Sequence, residues 1–498
     1  MTDASQSAQT SGLVVGMDIG TTAVKTVVAD EAGNVVGRHR VPSKLIVGPT
    51  GRFEHDAVAT WWEGPRTLLR ETLEQLRASG QGDPQAVAVS AMMPSLAAVD
   101  ASGRPVGPGL LYGDSRGQRP SQISDGHGGE TGACGGGDAT GDATGDPTAS
   151  DEMARLVGWA AADVPDAAGY WPAQAVANAS LSGEGVTDLA SAFAAGTLFG
   201  EGGWQPSVCE AGGFSAAQLP RVAFFGERIG EVDPAVVEGS VVSGSEIVLG
   251  AGSVDGFCEQ LVSGAVHDGD VFVGLGGTLV VWLTVPGWPE VAPGLWRVPH
   301  FVAGKALVGG ASTAGGMWVD WVDRALRPDE EAAVEPRDVP VWWPWAKGER
   351  VPLHDRSLRV ALAGADISHG PGALRRAAFE ATGFVVRNIV ELAQASGASP
   401  QRFVLSGGGV RNRDWLQAIA DVLGLPVVPV AFPDGAALGS AFLARMALGA
   451  ENSLDDATRW ARWSPAVGPR PAWASAAGER YERWKSGLPE TSAAGLGL

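Results

Sequence analysis

Cysteine is scarce in this chain, and its pattern excludes a disulfide scaffold. The 498 residues contain three cysteines, Cys134, Cys209 and Cys258. Their spacing matches no metal-binding pattern, and an odd number cannot form a complete disulfide framework. We therefore expect a reducing environment and a cytoplasmic location.

Long apolar runs are also missing. No stretch reaches the length of about 18 apolar residues that a membrane-spanning helix needs. The first residues, MTDASQSAQTSG, are polar and lack the basic-then-apolar order of a secretory signal peptide. The sequence predicts no membrane partner and a disordered tail over residues 1–12.

Positive charge is in short supply. The chain has 36 Lys and Arg against 56 Asp and Glu, for a formal net charge of −20. Such a surface argues against nucleic acid and anionic membranes as partners. It does not exclude an anionic nucleotide, because a local nest of backbone N–H groups with a metal ion can outweigh the overall field.

Large apolar side chains are almost absent from residues 119–150, where the sequence repeats GDAT. A segment of this composition cannot bury enough apolar surface to offset its ordering entropy. We predict a mobile, low-complexity insertion. Its Asp and His residues could bind a metal, but flexible polar tracts of this kind are usually solvated linkers.

The rest of the chain has a globular composition, with 45% hydrophobic residues, and is long enough for two large α/β domains. Two segments, VVGMDIGTTAVKTVVAD and DVFVGLGGTLVVWLTV, each predict a β-hairpin with a turn rich in Gly and Thr. This repetition indicates a duplicated domain with a cleft between the copies. Residues 151–240 are alanine-rich and indicate helices.

The first turn, DIGTTAVK, carries groups suited to binding a phosphate. Glycine lets backbone N–H groups point at one anion, and Thr21 and Thr22 can add hydroxyl donors. Lys25 supplies a point charge, and Asp18 at a strand end could hold Mg²⁺ through water. The alternative is an ordinary hairpin turn with a surface lysine.

Two further glycine turns occur, at Gly274–Thr278 and Ser406–Val410. A strand follows the first of them, whereas a dinucleotide-binding fold needs a helix there, and no GxxxxGK[ST] motif is present. Backbone can approach a ligand closely at the second turn. Tight turns without function are the alternative for both.

Asp255 follows a strand and precedes an apolar helix, which suits either a general base or a helix N-cap. In LLYGDSRG, Asp114 and Arg116 could accept and donate hydrogen bonds to a polyol, or form an ion pair in a surface turn.

In their order along the chain, these segments resemble the FGGY family of carbohydrate kinases. The matching stretches include DIGTTAVK, GAGSVDG, LGGTLVVWL, WWPWAKGERVPLHD, LSGGGVRNRDWLQAIADVLGLPV and DGAALGSAFLA. The similarity covers residues 13–116 and 240–450 well and is weak over 117–180. It implies an α/β fold of two actin-like (ribonuclease H-like) domains, with mixed sheets flanked by helices and an active-site cleft between them.

The resemblance also implies a role for individual residues, with ATP and Mg²⁺ as cofactors. Asp255 is implied as the catalytic base and Asp18 as the metal-associated carboxylate. The residues implied to bind the nucleotide are Gly20, Thr21, Thr22, Lys25, Gly277, Thr278, Gly315, Gly408 and Asn412. Those implied to shape the sugar site are Met93, Asp114 and Arg116, together with Asp255.

The chain departs from xylulokinases at positions that face the sugar. Those enzymes usually have Met-His where this chain has Met93-Pro94, Trp-Asn-Asp where it has Tyr112-Gly113-Asp114, and Asn where it has Gly256. An Arg-Glu pair expected of a glycerol kinase near Met93 is missing. These differences leave the sugar open and do not affect the reaction.

The sequence therefore predicts an ATP-dependent kinase that phosphorylates a primary hydroxyl of a small sugar, in the first place a pentulose such as D-xylulose. A kinase for another polyol, ketose or sugar acid (ribulose, erythritol, gluconate) is the alternative, and so is an inactive sugar-binding regulator of the same fold. The predicted domains span residues 13–245 and 246–450, with a C-terminal extension over 451–498. A homodimer is an assembly that the sequence leaves open.

Overall fold

The computed structural model describes residues 12–48, 51–116, 152–239, 246–326, 334–355 and 357–489. The insertion predicted at 119–150, Cys134 and residues 1–11 of the predicted tail lie outside the described residues. Within the described part, no helix is both long and apolar enough to cross a bilayer.

The described strands, in chain order, are β1 (Val14–Ile19), β2 (Ala23–Ala29), β3 (Val35–Pro42), β4 (Leu45–Val47), β5 (Phe53–His55), β6 (Ala86–Ala91), β7 (Ser95–Val99), β8 (Gly109–Leu111), β9 (Gly169–Trp171), β10 (Val186–Asp188), β11 (Phe199–Gly200), β12 (Gly203–Trp204), β13 (Arg221–Ala223), β14 (Arg228–Glu231), β15 (Val248–Gly250), β16 (Asp270–Leu275), β17 (Leu279–Pro286), β18 (Trp296–Pro299), β19 (Lys305–Ser312), β20 (Val341–Trp343), β21 (Ala361–Ala363), β22 (Arg402–Ser406) and β23 (Val427–Pro429).

The described α-helices are α1 (Gly64–Ala78), α2 (Glu152–Asp163), α3 (Ala173–Ser182), α4 (Leu189–Phe193), α5 (Pro206–Ala211), α6 (Pro234–Val237), α7 (Asp255–Ser263), α8 (Gly316–Leu326), α9 (Pro371–Ala393), α10 (Arg413–Leu423), α11 (Gly435–Ala447) and α12 (Pro471–Ser486). A π-helical turn, Val58–Glu63, leads into α1, and 3₁₀ turns lie at Gly196–Leu198, Ala216–Gln218, Gln394–Ser396, Gly408–Arg411 and Leu454–Trp460.

The chain forms two compact units. The first contains the described residues up to Cys258 and also Ala436–Asn452, and the second contains Glu259–Gly435 and residues 453–489. The boundary between these units lies inside α7, between Cys258 and Glu259. The segment Ala436–Asn452 returns to the first unit because α11 packs directly on β1: a Cβ at Gly16 would lie 1.8 Å from the Ala437 carbonyl oxygen.

The first unit is built on a six-stranded mixed sheet in the order β14-β15-β6-β1-β2-β3. Strands β1, β2 and β3 form an antiparallel meander, while β6 pairs parallel to β1 and β15 parallel to β6. Every residue of β1 and β6 is buried, as expected for central strands covered on both faces. A five-stranded sheet, β4-β5-β8-β7-β9, completes the unit's larger sheets.

The second unit repeats this topology. Its six-stranded sheet has the order β18-β19-β17-β16-β22-β23, in which β16, β17 and β19 form the meander. Strand β22 is parallel to β16, and β23 is parallel to β22. Five strands of each sheet therefore have the same order and directions, which confirms the predicted pair of domains with mixed sheets and agrees with a duplication.

Residues 152–239 differ from the helical expectation. Five helices, α2 to α6, are interspersed there with the short strands β9 to β14. Strands this short do not show a clear apolar period, which is why composition alone favoured helix.

The predicted C-terminal extension contributes to the core of the second unit. Helix α12 buries Tyr481 and Trp484 in the same apolar cluster as Phe384 of α9. Arg480, also on α12, donates two hydrogen bonds to the buried Glu380 carboxylate, at 2.7 and 2.8 Å. Residues 453–489 of this segment are therefore an integral part of the second unit.

Candidate active site

Two carboxylates of the first unit lie at one edge of its sheet. Strands β1, β6 and β15 are parallel, so their C-terminal ends share that edge. Asp18 in β1 pairs in register with Ser90 of β6. Beyond β15, Val254 bridges Ala91 at the end of β6, and Asp255 follows as the first residue of α7. The fold thus brings Asp18 and Asp255 to the same edge.

Asp18 is buried and hydrogen-bonded. The Ser90 hydroxyl donates to Asp18 Oδ1 at 3.3 Å, and Lys25 Nζ lies 3.6 Å from Asp18 Oδ2. The Lys25 side chain is 30% exposed, whereas that of Asp18 is 6% exposed. The Lys25 side chain is therefore accessible to a ligand from solvent, while the buried Asp18 carboxylate holds the lysine in place.

The pKa of the buried Cys258 thiol is raised by its burial and by nearby negative charge. Burial raises the pKa of Cys258 well above its usual value, and the charges of Asp188, Asp18 and Asp255 raise it further. These three carboxylates therefore act on one point in the first unit. The thiol itself is kept protonated and unreactive by this environment.

The first glycine turn is held by backbone and side-chain hydrogen bonds. Gly20 N donates to Ala23 O at 3.0 Å, and Ser43 N donates to Thr22 O at 3.0 Å. Thr22 is exposed and Thr21 is half-buried. The turn is consequently preorganised, with its hydroxyl-bearing residues at or near the surface.

Two residues that the sequence did not single out support this turn. His55 Nε2 lies 2.8 Å from the Thr21 carbonyl oxygen, and Trp61 Nε1–H donates to His55 Nδ1 at 3.1 Å. Since Nδ1 accepts, Nε2 must carry the proton and donate to Thr21. Burial lowers the pKa of His55, which agrees with this neutral tautomer. The Tyr112 hydroxyl lies 3.1 Å from Thr21 Oγ1.

Asp114 and Arg116 form one cluster with Glu54. Asp114 is buried; its Oδ2 accepts from Phe53 N at 3.0 Å and from Arg116 Nη2 at 2.6 Å, and its Oδ1 accepts from Arg116 Nε at 3.0 Å. Arg116 Nη2 also contacts the buried Glu54 carboxylate. Burial favours the neutral guanidinium, but the hydrogen bonds and charges of Asp114 and Glu54 outweigh it and raise the pKa of Arg116.

The Arg116 guanidinium is fixed from a second side by an aromatic ring. It lies 4.4 Å above the centroid of the Trp159 ring. Its side chain is 16% exposed. Met93 is half-buried, packs against the apolar cluster that includes Leu96 and Tyr170, and has its sulfur 3.9 Å from Ser95 Oγ.

The second unit gathers the other glycine turns at one end of its sheet. Residues 276–278 close the β16–β17 hairpin, whose last pair is Leu275 and Leu279. Gly316 N, at the start of α8, donates to Gly276 O at 2.8 Å. A Cβ at Gly315 would lie 2.2 Å from the Thr278 carbonyl carbon. Only glycine permits this approach, so Thr278 and Gly315 lie against each other.

The third turn approaches the same hairpin. Gly407 has φ +86°, and a Cβ there would lie 2.8 Å from the Leu275 carbonyl carbon. At Gly408 a Cβ would meet nothing within 4 Å, so the backbone there faces open space. Asn412 is the N-cap of α10, where its Oδ1 accepts from Trp415 N at 3.1 Å. Hairpin, α8 and third turn thus converge within one unit.

A buried carboxylate that the sequence did not single out braces this region. Glu349 Oε2 accepts from Ser312 Oγ at 2.7 Å, and Glu349 Oε1 accepts from Thr313 N at 3.1 Å and Arg350 N at 2.7 Å. Ser312 and Thr313 lead directly to Gly315. Burial raises the pKa of Glu349 to about 7, although these hydrogen bonds oppose the shift.

Comparison with known proteins identifies a family for both units. The model of the N-terminal domain of the FGGY family of carbohydrate kinases matches residues 13–256, and that of the C-terminal domain matches residues 301–448.

Individual relatives match over almost the whole chain. A xylulose kinase of Escherichia coli is 24% identical over 466 residues, covering 89% of this chain and 91% of that protein. An autoinducer-2 kinase of Yersinia pestis is 27% identical over 491 residues, covering 90% and 89%. The crystal structure of a xylulose kinase from Rhodospirillum rubrum has a TM-score of 0.74 and 24% identity, and covers 95% of this chain and 98% of that one. The predicted two-domain kinase fold is confirmed.

Proposed function

The chain belongs to the FGGY family of carbohydrate kinases, and we propose that it transfers the γ-phosphoryl group of ATP to a primary hydroxyl of a small sugar, in the first place a pentulose such as D-xylulose. The observation that carries this proposal is the placement of Asp18 and Asp255 at one edge of the first unit's sheet. There Asp18 would hold the metal ion, and Asp255 would accept the proton of the sugar hydroxyl.

Asp255 is the proposed general base. The sugar hydroxyl oxygen attacks the γ-phosphorus and forms a new P–O bond, while Asp255 takes the hydroxyl proton. The bond from the γ-phosphorus to the β,γ-bridging oxygen breaks, and ADP leaves with that electron pair. Asp255 is only partly buried, as a group that must meet a substrate has to be.

The glycine turns are the proposed nucleotide site. The backbone at Gly408 faces open space beside the hairpin of Gly277 and Thr278, and a Cβ at Gly315 would abolish the close packing there. Thr21, Thr22 and Lys25 of the first turn are proposed to meet the phosphates. Mg²⁺, when bound, neutralises charge on the transferring group, which supplies much of the acceleration in such reactions.

Asp18 fits the proposed metal role through oxygen chemistry. Mg²⁺ binds through one or two carboxylates together with substrate phosphates and keeps several waters. Among the described residues, no group of three or more His, Cys, Asp or Glu side chains is arranged to hold a metal. A single carboxylate such as Asp18 would suit an ion that arrives with the nucleotide, and Asp18 would hold that ion through water.

The substrate is open among small polyhydroxy compounds. The relatives include a xylulose kinase and an autoinducer-2 kinase at similar identity. A coupled assay of ADP release with a panel of pentuloses, polyols and aldonates would identify the acceptor. ADP release with a pentulose would support the proposal. ADP release only with another compound would identify that compound as the substrate instead. Sugar binding without ADP release would indicate a regulator.

Substitution of the proposed base tests the mechanism. We expect Asp255→Asn to retain ATP binding and to lose transfer by roughly 100- to 10,000-fold, the range typical of a general base. Asp233→Asn is a matched control, because Asp233 is an exposed N-cap of α6 in the same unit. Wild-type turnover by the Asp255 variant would remove this residue from the mechanism.

A further inference from the structure

The segment that carries Asp255 is fixed to the sheet on one side. A Cβ at Gly252 would lie 1.9 Å from the Val89 carbonyl oxygen, so this loop rests directly on β6. Ala91 N donates to the Ser253 carbonyl oxygen at 3.3 Å, and Val254 bridges Ala91. These contacts use backbone only. They fix the position of the loop backbone relative to β6. The side chains of the loop are held by a different element.

A buried side-chain hydrogen bond ties the loop to another element, β10. Ser253 Oγ donates to Asp188 Oδ2 at 2.7 Å, and both residues have no exposed surface. Asp188 is the last residue of β10 and the N-cap of α4, where its carboxylate accepts from Ala190 N at 2.8 Å and Ser191 N at 3.2 Å. One carboxylate therefore joins the start of a helix to the loop that ends in Asp255.

Asp188 is itself anchored to β6. Gln174 Oε1 accepts from Thr187 Oγ1 at 2.9 Å and from Asp188 N at 3.1 Å, and Gln174 Nε2 donates to the Val89 carbonyl oxygen at 3.1 Å. Gln174 and Thr187 are buried. Val89 thus supports the loop twice, through direct contact with Gly252 and through the chain of Gln174, Asp188 and Ser253.

Capping of α4 does not account for this arrangement. The helix has five residues, and an N-cap carboxylate is normally satisfied by the helix N–H groups and water. Here the carboxylate is fully buried, a costly position for a charge unless it is hydrogen-bonded throughout. The Ser253 hydroxyl adds a donor from outside the helix, two residues before the proposed base.

We infer that Asp188 and Ser253 are positioning residues for Asp255: their buried hydrogen bond, supported by Gln174, holds the 251–254 loop so that the Asp255 carboxylate stays at the sheet edge. This inference rests on the proposed function. Small displacements of a reacting group lower turnover steeply, by about 100-fold for an error of about 1 Å.

The test uses Ser253→Ala in the full-length protein. We expect kcat to fall roughly 10- to 100-fold, while KM for ATP stays at its wild-type value. The melting temperature should also fall, because the buried Asp188 carboxylate loses a donor. Asp188→Asn should lower kcat similarly, and the double variant should be no slower than the slower single variant, because both remove one interaction. A purely structural role would lower the melting temperature in the same way but leave kcat, measured well below that temperature, at its wild-type value.

Ser180→Ala is the matched control. Ser180 is buried on α3 in the same unit, and its hydroxyl donates only locally in the described contacts, to Ala177 O at 2.8 Å. We expect wild-type kcat from this variant. Wild-type kcat from Ser253→Ala, or an equal loss from Ser180→Ala, would overturn the inference.

Hydrogen exchange separates this inference from the proposed function. In Ser253→Ala, the amides of residues 253–256 should exchange faster than in the wild type, while those of the β1–β2 hairpin should not change. This readout needs no substrate, so it decides the positioning role even if the wild type phosphorylates no sugar in the panel. Unchanged exchange at 253–256 would overturn the inference.

Discussion

Lys25 Nζ lies 3.6 Å from Asp18 Oδ2, directly across the first hairpin of the chain. The register of β1 and β2 pairs these two residues, so the contact follows from the length of the turn between them. The buried carboxylate orients a lysine that is itself 30% exposed. Because the ion pair already restricts the lysine side chain, contact with a phosphate costs little further conformational entropy.

We predict that Lys25→Met lowers kcat/KM for ATP by roughly 100-fold, as is typical when one donor to a developing negative charge is removed. Steady-state kinetics with varied ATP would measure this. Lys485→Met is the control, since Lys485 is an exposed residue of α12 whose ion pair with Glu391 is of small net value. Equal activity of the two variants would exclude Lys25 from phosphate binding.

Arg116→Lys should raise KM for the sugar by roughly 10-fold or more and leave KM for ATP unchanged. Lysine keeps the charge but cannot donate in the planar pattern that Asp114 and Glu54 accept, nor lie over Trp159 as a flat guanidinium does. Kinetics with varied sugar would show it. Arg221→Lys, at an exposed ion pair with Glu227, serves as control. An unchanged KM for the sugar would mean that this cluster does not affect sugar binding.

His300 should make the second unit less stable in acid. Burial lowers its pKa from 6.5 to about 4, with its hydrogen bond to the Ala265 carbonyl opposing the shift. Between these two pH values the unfolded chain binds more protons than the folded chain. The contribution of His300 to the free energy of unfolding is therefore complete above about pH 6.5 and is lost as the pH falls toward 4. The loss is on the order of 3 kcal/mol. Denaturant unfolding of His300→Gln should lack this dependence, whereas exposed His267→Gln should keep it.

Glu349 should act in the opposite direction. Its pKa rises from 4.5 to about 7 because it is buried. Between these two pH values the folded chain binds more protons than the unfolded chain. The contribution of Glu349 to the free energy of unfolding is therefore complete below about pH 4.5 and is lost as the pH rises through 7. This slope opposes that of His300 between about pH 4.5 and 6.5. Denaturant titration of Glu349→Gln should show stability rising with pH across this range, and exposed Glu335→Gln should match the wild type. An unaltered profile for Glu349→Gln would contradict the prediction.

The agreement between sequence and structure is best where a signal is local. The hairpins predicted from VVGMDIGTTAVKTVVAD and DVFVGLGGTLVVWLTV correspond to β1–β2 and β16–β17. Glycine and threonine at a hairpin turn, or apolar residues at helical spacing, restrict the backbone over a few residues only. Short elements such as β9 to β14 carry too few residues for such a pattern, and there composition alone misled.

What the sequence by itself determined is the pair of glycine-rich hairpins, the strand ends that carry Asp18 and Asp255, and the order of motifs that indicates a carbohydrate kinase. What only the tertiary structure decided is which distant side chains support them. His55 donates to Thr21 across 34 residues, Arg116 contacts Glu54 across 62, and Ser253 donates to Asp188 across 65. No spacing rule links such partners, because parallel pairing and helix packing bring them together only after the chain has folded.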